Sequence, residues 1–68
     1  MNFDLRTAVI KNLDNSTSDD INETIADAIE AREEKTLPGL GVLFEILWKN
    51  SNDKEKKSIA STITQHLI

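Results

Sequence analysis

Residues 37–48, LPGLGVLFEILW, hold the only proline, both glycines, the only tryptophan and one of the two phenylalanines of a 68-residue chain. Wound as a helix, this stretch is apolar on nearly every side, with one narrow polar stripe of Gly41, Glu45 and Lys49 at i, i+4 spacing. Such a helix has to be covered, so the rest of the chain must supply amphipathic partners. Pro38 suits a first helical turn, where its missing N–H has no partner in any case. The residue before it disfavours the helical region, which places a break at Thr36, Leu37 and Pro38. From there a helix runs to about Lys49. Leu40, Phe44 and Trp48 form one stripe, Leu43 and Leu47 widen it, and Val42 and Ile46 lie beyond the polar strip.

Three further segments have helical periodicity. Leu5, Val9 and Leu13 recur at i, i+4, i+8, flanked by Phe3 and Ile10, with Asn2 as the expected N-cap and Asp4 in the first turn. The cluster 14–18, DNSTS, ends that helix, because each of its side chains offers an oxygen to the backbone. A second helix is expected over about 19–34, capped by Thr17 or Ser18 and apolar along Ile21, Ile25, Ala28 and Ile29. Asn50, Ser51 and Asn52 make the last turn, where Asn52 with Glu55 reads as a capping box and Ser51 as the rival cap. The fourth helix carries Ile59, Ile63 and Leu67 with Ala60 beside them, and its outer face is lysine and serine. No strand-like alternation appears. The expected fold is therefore all-α: one domain over 1–68, a compact bundle of four short helices with the apolar third helix at its centre.

A core this small yields no more than about 3–5 kcal/mol by itself, unless disulfides, a metal or association add to it. Cysteine is absent, which removes disulfides, thiolate zinc and thiol catalysis together. The N-terminal segment has Asp4, Arg6 and Lys11 among its apolar residues and does not read as a secretory signal. No apolar run approaches the roughly 20 residues that span a bilayer. A cytoplasmic protein without membrane contact is the expectation. The net charge of −4 divides into −5 over residues 1–36 and +1 over residues 37–68. An acidic chain is poorly steered to nucleic acid, so any polyanion contact belongs to the C-terminal half.

No catalytic constellation emerges. Gly39 and Gly41 lack the GKS/T of a phosphate loop, and the third position of a GxGxxG pattern falls on Phe44. They read instead as places where a neighbouring helix packs closely. Asp27, Glu30, Glu33 and Glu34 belong to a solvated helix face. His66 is a lone surface histidine near a helix end. Ser58 and Ser61 lack the strained elbow of a nucleophile. Metal and cofactor are not expected. Two sets of residues stay as candidates for contact: Val42, Ile46, Phe44 and Trp48 as an interface, with an edge of Val42 and Ile46 pairing to a second copy in a homodimer; and Lys49, Lys54 and Lys57 as a polyanion contact. Lys56 points away, beside Asp53.

Along Glu33-Glu34-Lys35 and Leu37-Pro38-Gly39-Leu40-Gly41-Val42-Leu43-Phe44-Glu45, with Trp48, the chain resembles the small acid-soluble spore proteins of the I type. The likeness extends to Leu5-Arg6, Ala8-Val9-Ile10, Thr24-Ile25, Asp27-Ala28-Ile29 and Glu55-Lys56, and is weakest in the tail from Ser58 onward. The resemblance implies synthesis in the forespore and residence in the spore core, as a minor, non-enzymatic protein of structural or interaction type. It transfers no catalytic residues. The abundant alpha/beta-type spore proteins coat DNA, but this sequence looks unlike them. A weak, salt-sensitive nucleic-acid binder using the C-terminal lysines is the alternative.

Overall fold

The computed structural model describes residues 4–67, arranged as four α-helices: α1 (Leu5–Asn12), α2 (Ser18–Ala31), α3 (Leu37–Lys49) and α4 (Asp53–Gln65), with a 3-10 turn at Glu34–Thr36. The expected all-α bundle is the observed one. Phe3 and Ile68 lie outside the described residues, as does Asn2. The cap of α1 is Asp4, whose carboxylate accepts from the Thr7 backbone N–H at 3.2 Å and from its hydroxyl at 2.6 Å. These two bonds, the side-chain one first, hold the Asp4 carboxyl below its usual value. Asn15 closes the α1–α2 turn with φ 67°, a left-handed conformation that asparagine tolerates.

Of the two caps the sequence offers for α2, Thr17 is the one used, and the box expected at Asn52 and Glu55 forms. Thr17 exchanges side-chain and backbone bonds with Asp20 at 3.1 Å each, and Asn52 does the same with Glu55 at 2.8 Å. Each box satisfies two N–H groups that a helix start otherwise leaves without partners. Ser51 does not cap α4; its hydroxyl donates to the Leu47 carbonyl at 2.6 Å, while the Asn50 side-chain amide donates to Ile46 O at 2.8 Å. The turn between α3 and α4 is thereby tied back onto α3.

The end of α2 departs from expectation. The helix stops at Ala31, and Arg32 takes the left-handed conformation at φ 54° before Glu33 becomes extended. Leu37 is helical despite preceding proline, with φ −60° and ψ −43°. The chain therefore reverses at Arg32–Glu33, ahead of Thr36–Pro38. Glu33 and Glu34, whose charges would oppose the negative end of a longer α2, lie beyond its end. Thr36 fastens the reversal, its hydroxyl lying 2.8 Å from Glu33 O and 3.4 Å from Ala28 O.

The glycines of α3 do not mark a close helix approach. A Cβ built on either Gly39 or Gly41 meets nothing within 4 Å, and neither has positive φ. Their absent side chains give α3 only backbone freedom in the unfolded state. Gly41→Ala is accordingly expected to stabilise the protein by about 1 kcal/mol, read from the urea midpoint at unchanged slope.

α1 and the 3-10 turn both pack on α3, which occupies the centre. Its all-round apolarity nevertheless outstrips its cover. Val42, at 7% exposure, is the one buried apolar residue among those described, whereas Phe44, Ile46 and Leu47 of the same helix are exposed. The radius of gyration is 13.4 Å, against roughly 11 Å for a closed chain of this length. The bundle is open on one side.

Candidate apolar interface

The open side is a trough of about 710 Å³ between α1, α2 and α3. Its walls follow from the amphipathic stripes: Val9, Ile10 and Leu13 from α1 and the turn after it, Ile21 and Ile25 from α2, and Leu40, Leu43 and Leu47 from α3. Asp14 and Asn15 are the polar residues of its lining. A second cleft of about 390 Å³ separates α3 from α4 and is lined by Phe44, Trp48, Ala60 and Ile63 among others. Phe44 lines both, so trough and cleft meet at its ring.

The four apolar residues singled out from the sequence divide. Phe44 and Trp48 stack, with ring centroids 5.8 Å apart and planes inclined by 26°. Ile46 lines the trough and is 40% exposed. Val42 is buried, so the expected edge of Val42 and Ile46 is not a shared free edge: they are four residues apart, yet only Ile46 opens onto the trough. Lys49 lines the α3–α4 cleft, and Lys54 and Lys57 stand exposed in the first turns of α4. Lys56, expected beside Asp53, instead places its ammonium 5.6 Å from the Trp48 ring centroid, a cation–π geometry. An aromatic on one helix and a lysine eight residues later on the next leave no periodic signal for this contact.

The i, i+4 spacing of Glu45 and Lys49 on the polar stripe of α3 suits an ion pair between them. Glu45 pairs instead with Arg6, 39 residues away, through two bonds of 2.8 Å from Nε and Nη2 to the two carboxylate oxygens. The guanidinium fork matches a carboxylate in a way that an ammonium does not. Hydrogen bonding from Arg6, ahead of its charge, holds the Glu45 carboxyl below its usual value, and the same bonds raise Arg6. Both groups are partly solvated, so the pair adds little stability but fixes how α1 lies against α3.

The carboxylates with lowered values are the α1 cap and this surface pair. Among the described residues no three His, Asp or Glu side chains group to hold a metal ion. Glu33 pairs with Lys35 at 3.0 Å on the surface. His66 caps α4, its Nδ1–H donating to Thr62 O at 2.8 Å. No described helix is long and apolar enough to cross a membrane.

Comparison with known proteins places these features in a family. The sequence profile described as "Small, acid-soluble spore protein I" matches residues 3–67. Proteins of that name from Bacillus cytotoxicus and from strains of Bacillus cereus and Bacillus anthracis are 52% identical to this chain over 67 residues. The aligned part covers 98% of this chain and 96–97% of theirs. No solved structure matches.

Proposed function

The chain belongs to the small, acid-soluble spore protein I family, and from that premise we propose that it serves the spore core as a non-enzymatic structural protein that works by self-association. The observation that carries this reading is the quantity of apolar surface left uncovered around α3. The accessible surface of the whole chain, polar and apolar together, is 6121 Å², about 1,800 Å² more than a folded protein of this mass exposes, and Phe44, Ile46 and Leu47 of α3 are among its exposed apolar residues. Standard interfaces bury about 800 Å² on each partner. A second copy is the partner always present at the concentration of the protein itself, and its own apolar surface matches in kind. Among the residues that line the trough, only Asp14 and Asn15 have polar side chains, and both sit at its rim-forming turn, which favours protein contact over chemistry.

The nucleic-acid reading keeps one observation in its favour: Lys49, Lys54 and Lys57 form no ion pair with a described residue. Asp53 and Glu55 stand among them, and the chain is acidic overall, so affinity at physiological salt is expected to be negligible.

Both readings are tested by one NMR experiment. The rotational correlation time is recorded on the free protein, followed by an amide-resolved titration with duplex DNA at about 50 and 200 mM salt. A correlation time of at least a dimer with no DNA-induced shifts is the expected result. Monomeric tumbling, with shifts confined to residues 49–57 and lost at the higher salt, overturns it in favour of nucleic acid.

A further inference from the structure

The helices around α3 are not held to it equally. α1 is fixed by the two Arg6–Glu45 bonds, and α4 is set alongside by the tied turn at 50–52 and the Lys56–Trp48 contact. α2 has no such fastening. Among the described residues no salt bridge joins it to another helix. The one side-chain hydrogen bond that reaches it from another element is the Thr36 hydroxyl at 3.4 Å from Ala28 O, close to its C-terminal end. Asn15 and Arg32, the two described residues with positive φ, at 67° and 54°, stand one before the helix and one after it. Holding a residue with a Cβ in that conformation is costly. A few residues at the ends of an element are where a hinge takes up its rotation.

The apolar ridge of α2 is only part used. Ile21, Ile25 and Ile29 follow at i, i+4, i+8 and share one face. The first two line the trough, whereas Ile29 stands outside it, 61% exposed. The Thr36–Ala28 contact puts the end of α2 beside the start of α3, so the two helices run antiparallel and Ile21 comes level with Leu47. Leu47, on the α3 wall, is itself half exposed. A roll of α2 towards α3 brings the third isoleucine in and removes apolar surface on both walls from water. The only bond it strains is the long one at Ala28. We propose that α2 is a lid on the trough, pivoting at Asn15 and Arg32 so that Ile21, Ile25 and Ile29 close on Leu40, Leu43 and Leu47 of α3. In the closed chain this surface is covered within one copy, and in the open chain it is offered to a second. Closure itself does not depend on the self-association reading; its role as a competitor of self-association does.

The test uses the full chain at tens of micromolar, where a second copy is scarce. Methyl relaxation dispersion on the unaltered protein reads motion between the two states. Exchange is expected at Ile21, Ile25 and Ile29 and not at Ile59 of α4. Ile21→Cys and Leu47→Cys are then combined in one chain, which has no cysteine of its own. A disulfide needs Cα atoms about 4.4–6.8 Å apart. Mild oxidation is expected to join the pair within one copy, keep the helical content and abolish the exchange at Ile25 and Ile29. Flat dispersion at all three α2 methyls overturns the lid whatever the variant does, even where the bridge forms, because the trough is then fixed in one state. A folded variant whose cysteines stay reduced, or join only between copies, overturns the closure. Neither outcome touches self-association, which stands or falls on the correlation time of the concentrated protein.

Discussion

Val42→Asp is expected to abolish cooperative folding, and Val42→Ala to lower stability by about 2 kcal/mol. Val42 is the buried apolar position in a core otherwise built from half-covered side chains. Truncation to alanine removes two methyl groups from a site with little freedom to collapse, because α3 is held at one end by the 3-10 turn and along its length by α1. For a chain whose single core supplies about 3–5 kcal/mol, such a loss raises the unfolded fraction severalfold at room temperature. Aspartate adds the cost of placing a charge at a position that is only 7% exposed. Urea unfolding followed by far-UV circular dichroism, at one fixed protein concentration, checks both variants. A Val42→Asp protein with a normal transition would show that position 42 is solvated, and that the apolar face of α3 lies elsewhere.

That result bears on what the sequence could disclose. The four helices were legible because each rests on local information: i, i+4 stripes in α1, α2 and α4, a proline in the first turn of α3, and the signatures at Thr17 and Asn52. The centrality of α3 was legible as well, from its apolarity alone. Which of its faces is covered was not. A helix apolar all round has no periodicity to point inward, so Val42 and Ile46 looked equivalent until the other elements were in place. The reversal at Arg32 lacked its usual marker, since glycine or asparagine ordinarily occupies a left-handed helix end. The two glycines that do occur lie in open space, so the usual inference from glycine to close packing fails here.

The tertiary polar contacts were the least legible. Glu45 had a well-spaced local partner in Lys49, and local spacing is the information a sequence offers. Arg6 wins because α1 brings a planar, two-pronged donor to the same carboxylate, and two bonds in fixed geometry outweigh one flexible ammonium. Lys56 is a similar case. Its aliphatic stem and charge find the Trp48 ring only because the tied turn at 50–52 sets α4 alongside α3.

Trp48→Ala is expected to free α4 from α3 and to cost about 3 kcal/mol, most of the stability of so small a chain. Three contributions end together: burial of part of a large ring, the stack on Phe44 at 5.8 Å, and the Lys56 cation–π contact. The stack and the cation–π contact account for about 1–2 kcal/mol between them. The remainder is apolar burial across a cleft that is already loosely filled. Because the covalent turn and its hydrogen bonds stay intact, the loss should be uneven along the chain. Native-state hydrogen exchange is expected to show the amides of α4 falling to near-free rates first, while α1 and α3, joined by the Arg6–Glu45 pair, keep more of their protection. Trp48→Phe separates the contributions: it keeps a ring for Phe44 and a weaker face for Lys56, so α4 should retain partial protection. Uniform loss of protection in Trp48→Ala would mean that α4 belongs to the same cooperative unit as the rest of the bundle, and that the cleft beside it is closed in solution. Selective loss would mean that α4 opens independently of the α1–α3 unit, held to it chiefly through the Trp48 side chain.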